Sequence, residues 1–136
     1  MGSDGEQPSK TILVVDDDVG VCQQLAELLR CQGYRTVGLT SGSEALRFVE
    51  EQGPPGLILL DLIMPDVGGI EVLSKIHAQY PDVPICLITA LYDEHLLRVA
   101  LRLGAYDCVT KPMDMDYLKT AIFVKMLANR ANPAAL

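Results

Sequence analysis

Five times along the chain a short apolar run gives way to a longer stretch in which apolar residues recur every three to four positions. Thr11 to Val15 (TILVV) is rich in β-branched residues and predicts a first strand. After Asp16-Asp17-Asp18, the residues Val21, Cys22, Leu25, Leu28 and Leu29 recur at helical spacing, and Gly33 stops the helix. Tyr34 to Leu39 predicts a weaker second strand, and Thr40 or Ser41 then caps a helix carrying Ala45, Leu46 and Val49. The breakers Gly53-Pro54-Pro55-Gly56 precede Leu57 to Leu60, an apolar run that predicts a buried strand with a lone carboxylate, Asp61, at its C-terminal end. Met64-Pro65 and Gly68-Gly69 turn the chain into a third helix, with Ile70, Leu73, Ile76 and His77 on its apolar side and Pro81 marking its end. Val83 to Ile88 predicts a fourth strand finishing at Thr89, and Asp93 to Leu103 a fourth helix closed by Gly104. Tyr106 to Thr110 is a short fifth strand ending at Lys111-Pro112. Asp114 or Asp116 opens the last helix, in which Tyr117, Ala121 and Val124 share a face beside Leu118 and Ile122.

Strands and helices that alternate at these lengths call for parallel strands joined by right-handed crossovers. The predicted fold is α/β: a doubly wound, five-stranded parallel sheet of order 2-1-3-4-5 with helices on both faces, flavodoxin-like in architecture. That order opens a crevice between strands 1 and 3, where the acidic run and Asp61 end. A length of 136 residues suits one domain, expected over 10–130, with the polar stretch 1–9 left out as a tail and 131–136 as the start of a linker. Hydrophobic residues at 49% and charged residues at 21% favour a globular chain over a disordered or membrane one. No apolar leader and no stretch of membrane-spanning length are present, so a cytoplasmic location is expected. A net charge of −7 without a basic cluster argues against direct contact with nucleic acid. The cysteines at 22, 31, 86 and 108 form no CxxC pair and have no histidine at zinc-site spacing, which predicts free, mostly buried thiols.

Four of the five strands finish in residues able to do chemistry: Asp16-Asp17-Asp18, Asp61, Thr89 and Lys111. Carboxylates brought together in a semi-buried crevice repel, and either a proton or a cation relieves them. Mg²⁺ fits this need, because it takes oxygen ligands and typically uses one or two protein carboxylates together with a phosphate. Helix capping accounts for one acid of the run, and Asp18 is placed to do it. Lys111 is opposite in sign to this cluster and within reach of Asp61 or of a phosphoryl group on it. Pro112 is a candidate for a cis peptide bond. Thr89 offers a hydroxyl to an anionic oxygen, or alternatively caps the next helix.

The set VVDDD, LILLDLIMPDVGG, LITA and VTKP resembles the receiver domain of bacterial two-component response regulators, from about Lys10 to Arg130. The resemblance implies that Asp61 is the phosphoacceptor, taking a phosphoryl group from a sensor histidine kinase or phosphotransfer protein. It implies Mg²⁺ ligation by Asp16, Asp17, Asp61 and the backbone carbonyl of Ile63. Thr89 would hydrogen-bond the phosphoryl group and Lys111 would pair with it. The implied activity is signalling, with no enzyme chemistry beyond the domain's own phosphorylation and dephosphorylation. An alternative is a small aspartyl-nucleophile phosphohydrolase; Asp16 and Asp18 have the spacing, but Gly20 stands where that motif carries Thr or Val.

The chain departs from the resemblance at Cys108, where receivers commonly carry Tyr or Phe. Tyr106, two residues earlier and on the same strand face by the period-2 rule, is a candidate substitute. Ile63 and Leu91, each two residues beyond a site residue, are apolar and predict slow loss of the phosphoryl group. On the fourth helix Leu96, Val99, Ala100 and Leu103 form an apolar stripe, widened by Leu97 and Leu101. Burial is the expected reading of that stripe. The alternative is a patch on helix 4, strand 5 and helix 5 that pairs receivers into a homodimer when Asp61 is phosphorylated.

Overall fold

The computed structural model describes residues 11–90 and 93–131, with side chains described through residue 127 apart from those of residues 91 and 92. The predicted tail over 1–9, the linker beyond Ala131 and the position of Leu91 lie outside the described residues. The elements are β1 (Thr11–Val15), α1 (Val19–Cys31), β2 (Arg35–Leu39), α2 (Gly42–Gln52), β3 (Leu57–Leu60), α3 (Gly69–Gln79), β4 (Ile85–Thr89), α4 (Glu94–Arg102), β5 (Asp107–Thr110) and α5 (Met115–Ala131). The strands form one parallel sheet in the order β2-β1-β3-β4-β5, as the alternation of elements predicts. Strand starts shift inward by one or two residues. Pro84 has no N–H to place in a ladder, so β4 begins at Ile85 and not at Val83.

Successive residues of the central strands point to opposite faces, and both faces are covered. Leu13, Val15, Ile58, Leu60, Ile85 and Leu87 pack against α2, α3 and α4. Ile12, Val14, Leu57, Leu59, Cys86 and Ile88 pack against α1 and α5. Burial on both faces is why β1 and β3 read as unbroken apolar runs and not as alternating ones.

Local signals set the helix ends. The carboxylate of Asp18 accepts from the Val21 amide at 3.2 Å, Ser41 from Glu44 at 3.2 Å, and Asp93 from Leu96 at 3.1 Å. Asp114 accepts from the amides of Asp116 and Tyr117, which makes it the residue that opens α5. Gly33 follows α1 with φ +96°, in the left-handed region that favours glycine.

Two helix faces differ from expectation. α5 buries Leu118, Ile122 and Met126, an i, i+4 stripe, and leaves Tyr117 and Val124 exposed. α4 buries only Ala100 fully; Leu96 and Leu103 pack at the edge of the core, and Leu101 is half exposed. Thus the broad stripe on α4 is only partly covered, because nine residues of helix on an outer strand have little sheet to lie against. Cys22 and Cys86 are buried, Cys108 is half-buried and Cys31 exposed, all as free thiols. Burial, with the nearby Asp107 charge, pushes the Cys86 thiol up to about 12. Among the described residues no helix is long and apolar enough to cross a membrane.

Candidate functional site

Parallel pairing of β1 with β3 brings the ends of both strands to the same edge of the sheet. Val15 lies opposite Leu60, so the next residues, Asp16 and Asp61, emerge side by side. Backbone bonds continue just past the strands: Asp61 N–H donates to Val15 O at 2.9 Å, and Asp16 N–H to Leu39 O at 3.1 Å. Both acids are thereby fixed by main chain and sunk below the surface, with 2% of Asp16 and 7% of Asp61 exposed. Asp17 is exposed above them. One carboxylate oxygen from each of Asp16, Asp17 and Asp61 lies within 4.8 Å of the others.

Lys111 enters from the end of β5. Its Nζ lies 2.8 Å from Asp16 Oδ2 and 3.5 Å from Asp61 Oδ2, so the ammonium is bonded first to Asp16 and only secondarily to Asp61. Burial pulls the Lys111 ammonium down, but the Asp16 hydrogen bond and the charges of Asp61 and Asp16 outweigh it and hold the group charged. Asp61 is pushed up from 3.8 to about 6. Burial is the largest cause, the Asp16 charge adds to it, and the Ile63 amide and Lys111 only partly oppose it. One ammonium serves two buried carboxylates, and the site remains short of positive charge. Three hard oxygen donors around such a deficit suit a divalent cation of the Mg²⁺ kind.

The rest of the predicted set lies around this cluster. Thr89 ends β4 and is 1% exposed, and its carbonyl accepts from the Lys111 amide at 2.8 Å. Thr89 does not cap α4; Asp93 does. The Lys111-Pro112 peptide is cis. Ile63 donates its amide to Asp61 Oδ1 at 3.2 Å, and its side chain stands 54% exposed. Asp18 caps α1, apart from the three clustered acids.

Tyr106 does not take the side expected of it. The period-2 extrapolation presumed a strand from Tyr106, but β5 begins at Asp107. Cys108 packs toward the α2–α3–α4 side, whereas the Tyr106 ring lies under the Lys125 ammonium of α5, 4.1 Å from its centroid. The ring is therefore on the opposite face of the sheet from the thiol. Sequence reasoning also passed over Asp66, whose carboxylate accepts from the Gly42 and Ser43 amides at 3.3 Å each and from the Ser43 hydroxyl. Its partners are 23 and 24 residues away, so no local pattern marks it.

Comparison with known proteins identifies the family and the fold. The family model described as the response regulator receiver domain matches residues 12–123. The chain is 40% identical over 111 residues to the transcriptional regulatory protein ZraR of Escherichia coli K12, which covers 82% of this chain and 25% of that protein. It is 37% identical over 125 residues to the DNA-binding response regulator MtrA of Mycolicibacterium smegmatis, covering 92% of this chain and 54% of that one. The chain thus spans about a quarter to a half of the length of these curated relatives. Among solved structures, a CheY-like receiver domain from Methanospirillum hungatei superposes with a TM-score of 0.82 at 28% identity, covering 86% of this chain and 93% of that one. The receiver domain of a putative LuxO repressor from Vibrio parahaemolyticus gives 0.84 at 25% identity, covering 93% and 96%.

Proposed function

The chain belongs to the response regulator receiver domain family, and from that premise we propose that Asp61 is its phosphoacceptor, charged by a sensor histidine kinase or a phosphotransfer protein with Mg²⁺ present. The observation that carries this reading is the charge imbalance: buried Asp61, with its carboxyl raised to about 6, shares a single lysine with buried Asp16. A group so placed is ready for a partner that brings positive charge, and is ionised at neutral pH to act as nucleophile. When bound among Asp16, Asp17, Asp61 and the Ile63 carbonyl, Mg²⁺ supplies positive charge that offsets the carboxylates and the incoming phosphoryl oxygens.

In the transfer, a carboxylate oxygen of Asp61 forms a bond to phosphorus as the P–N bond of the donor phosphohistidine breaks. The bonding pair returns to the ring nitrogen, and a ring protonated on its other nitrogen leaves as neutral imidazole. Asp61 needs no base, because it is already ionised. Lys111 sits between Asp16 and Asp61 and can turn its ammonium from carboxylate to phosphoryl oxygen, while the hydroxyl of Thr89, ending the neighbouring strand, donates to another. The acyl phosphate favours the conformer in which these contacts form, a population shift that α4, β5 and α5 transmit. With Tyr106 on the α5 side and Cys108 at the usual ring position, transmission runs without a rotating aromatic. The apolar side chains left exposed on α4 and α5, with Tyr106 just before β5, belong to the α4–β5–α5 face through which phosphorylated copies pair. The exposed Ile63 side chain screens the product from water, which slows its hydrolysis; the companion position, Leu91, lies outside the described residues. The domain acts in the cytoplasm, makes no direct contact with nucleic acid, and catalyses nothing beyond its own phosphorylation and dephosphorylation. The aspartyl phosphohydrolase reading draws no support from the family match.

Incubation with acetyl phosphate and Mg²⁺, followed by mass measurement, tests the reading. The wild type is expected to gain one phosphoryl group, and neither Asp61→Asn nor a chelator-treated sample is expected to gain it. A variant labelled as fully as the wild type would refute the assignment of Asp61.

A further inference from the structure

The chain between β3 and α3, residues 62–68, carries the Ile63 carbonyl, and it is held at both ends. Leu62 and Met64 are buried on either side of Ile63, and the Gly69 amide closes the loop by donating to Leu62 O at 2.9 Å. At Gly69 an added Cβ would lie 2.4 Å from Asp61 O, so α3 starts pressed against the strand end. The far side of the loop meets the N-terminus of α2. There a Cβ on Gly42 would lie 2.4 Å from Val67 O and 2.9 Å from the Val67 Cβ, a contact only glycine permits. Across the same seam Asp66 accepts from the Gly42 and Ser43 amides and from the Ser43 hydroxyl. Those amides, in the first turn of α2, have no partner within the helix and lie at its positive end, and the ionised carboxylate that satisfies them makes the bonds charge-assisted. The Ser43 hydroxyl first, then the Val67 amide, hold the Asp66 carboxyl down at about 2, so it stays ionised throughout the working pH range.

We propose that Asp66 is a positioning residue for the cation site: by tying the 62–68 loop to the N-terminus of α2 it holds the Ile63 carbonyl in place for Mg²⁺, and it links occupancy of the site to α2. The inference rests on the Asp61 reading given above. It follows from mechanics: Ile63 is exposed and cannot be fixed by its own side chain, while Asp66, three residues on, binds an element whose position the sheet already sets. Linkage makes the effect reciprocal, so a cation that draws the loop into place also strengthens the Asp66 bonds to α2.

Calorimetric titration of the metal-free chain with MgCl₂ provides the test, on wild type, Asp66→Asn, Asp66→Ala and the core variant Met126→Ala. Met126 is on the buried face of α5, in the core on the other side of the sheet from α2 and α3, and controls for general loss of stability. Asp66→Ala is expected to weaken Mg²⁺ binding about tenfold, the scale of removing a supporting partner of a ligand. Asp66→Asn is expected to weaken it less, and Met126→Ala not at all. In hydrogen exchange, Mg²⁺ should raise protection of the Gly42 and Ser43 amides in the wild type and not in Asp66→Ala. Saturating Mg²⁺ should restore the rate at which Asp66→Asn is phosphorylated by acetyl phosphate. Wild-type affinity in Asp66→Ala, an equal loss in Met126→Ala, Gly42 and Ser43 amides indifferent to Mg²⁺ in the wild type, or a rate defect that persists at saturation would each overturn the proposal. A wild type that binds no Mg²⁺ would overturn it as well. A wild type that shows the Asp66 dependence but gains no phosphoryl group would overturn only the phosphoacceptor reading.

Discussion

The two edges of the sheet are finished differently. At the β2 edge, Arg30 of α1 reaches over with two donors to the Thr36 carbonyl, at 3.2 and 3.0 Å, and α2 is bound to the 62–68 loop through Asp66. Polar bonds hold that edge down. At the β5 edge no strand residue is fully buried, and Leu101, Tyr106, Tyr117, Phe123, Val124 and Leu127 are about half exposed or more. The other large exposed apolar side chains among the described residues are Val19, at the start of α1, and Ile63, two residues past Asp61. Asp16 and Asp61 belong to the tied part of the molecule, and Lys111 and Thr89 to the part whose outer layer is loosely covered. The contrast bears on the proposed switch: on that reading a phosphoryl group moves the β5 edge, which has fewer buried contacts to lose, and leaves the acids that hold it in place.

A core substitution on the tied side should have the largest effect. Leu73 of α3 is fully buried against the sheet, and Leu73→Ala is expected to cost about 3 kcal/mol in chemical denaturation. Leu101→Ala, on the loosely covered helix, is expected to cost less than about 0.5 kcal/mol. Similar losses at the two positions would break the contrast.

A smaller effect, of opposite sign, is expected between the edges. Asp61 keeps its proton in the folded chain up to about pH 6, against an ordinary value of 3.8. The folded state therefore binds more protons than the unfolded one between those values, and stability falls as pH rises through that window. Asp61→Asn removes this loss. Without added metal it should be more stable than wild type by about 1–2 kcal/mol near neutral pH, with the gap closing as pH falls toward about 4. A gap that is constant over pH would show that Asp61 carries no such burden.

The smallest change in stability is expected at Phe123→Ser on α5, within about 0.5 kcal/mol of wild type. The informative readout there is self-association of the phosphorylated chain by light scattering, which should weaken. An unchanged association would move the pairing surface elsewhere.

Much of the site was legible because parallel α/β chains deliver the residue after each strand to one edge. Asp16, Asp61, Thr89 and Lys111 each follow or finish a β-rich run, so the pattern of runs marked them. Less legible was anything that depends on which way a side chain turns once the strand is over. Tyr106 was placed on the wrong face because period-2 counting does not say where a strand begins. The apolar stripe of α5 was drawn through Tyr117 and Val124 because a helix with apolar residues on several sides does not declare which side meets the core.

The chain by itself determined the alternation of elements, the sheet order and the residues that gather at the strand ends, since all of these follow from short-range periodicity and from the few ways such elements pack; it offered pairs of candidate caps, among which the fold chose Ser41, Asp93 and Asp114. Tertiary structure decided what the strand ends do to one another. Only in three dimensions does Lys111 bond first to Asp16, leaving Asp61 short of positive charge and holding its proton to about pH 6. The tie from Asp66 to α2 is likewise invisible along the chain. Charge interactions depend on distance and burial, and the fold brings together groups that the chain keeps 23 to 95 residues apart.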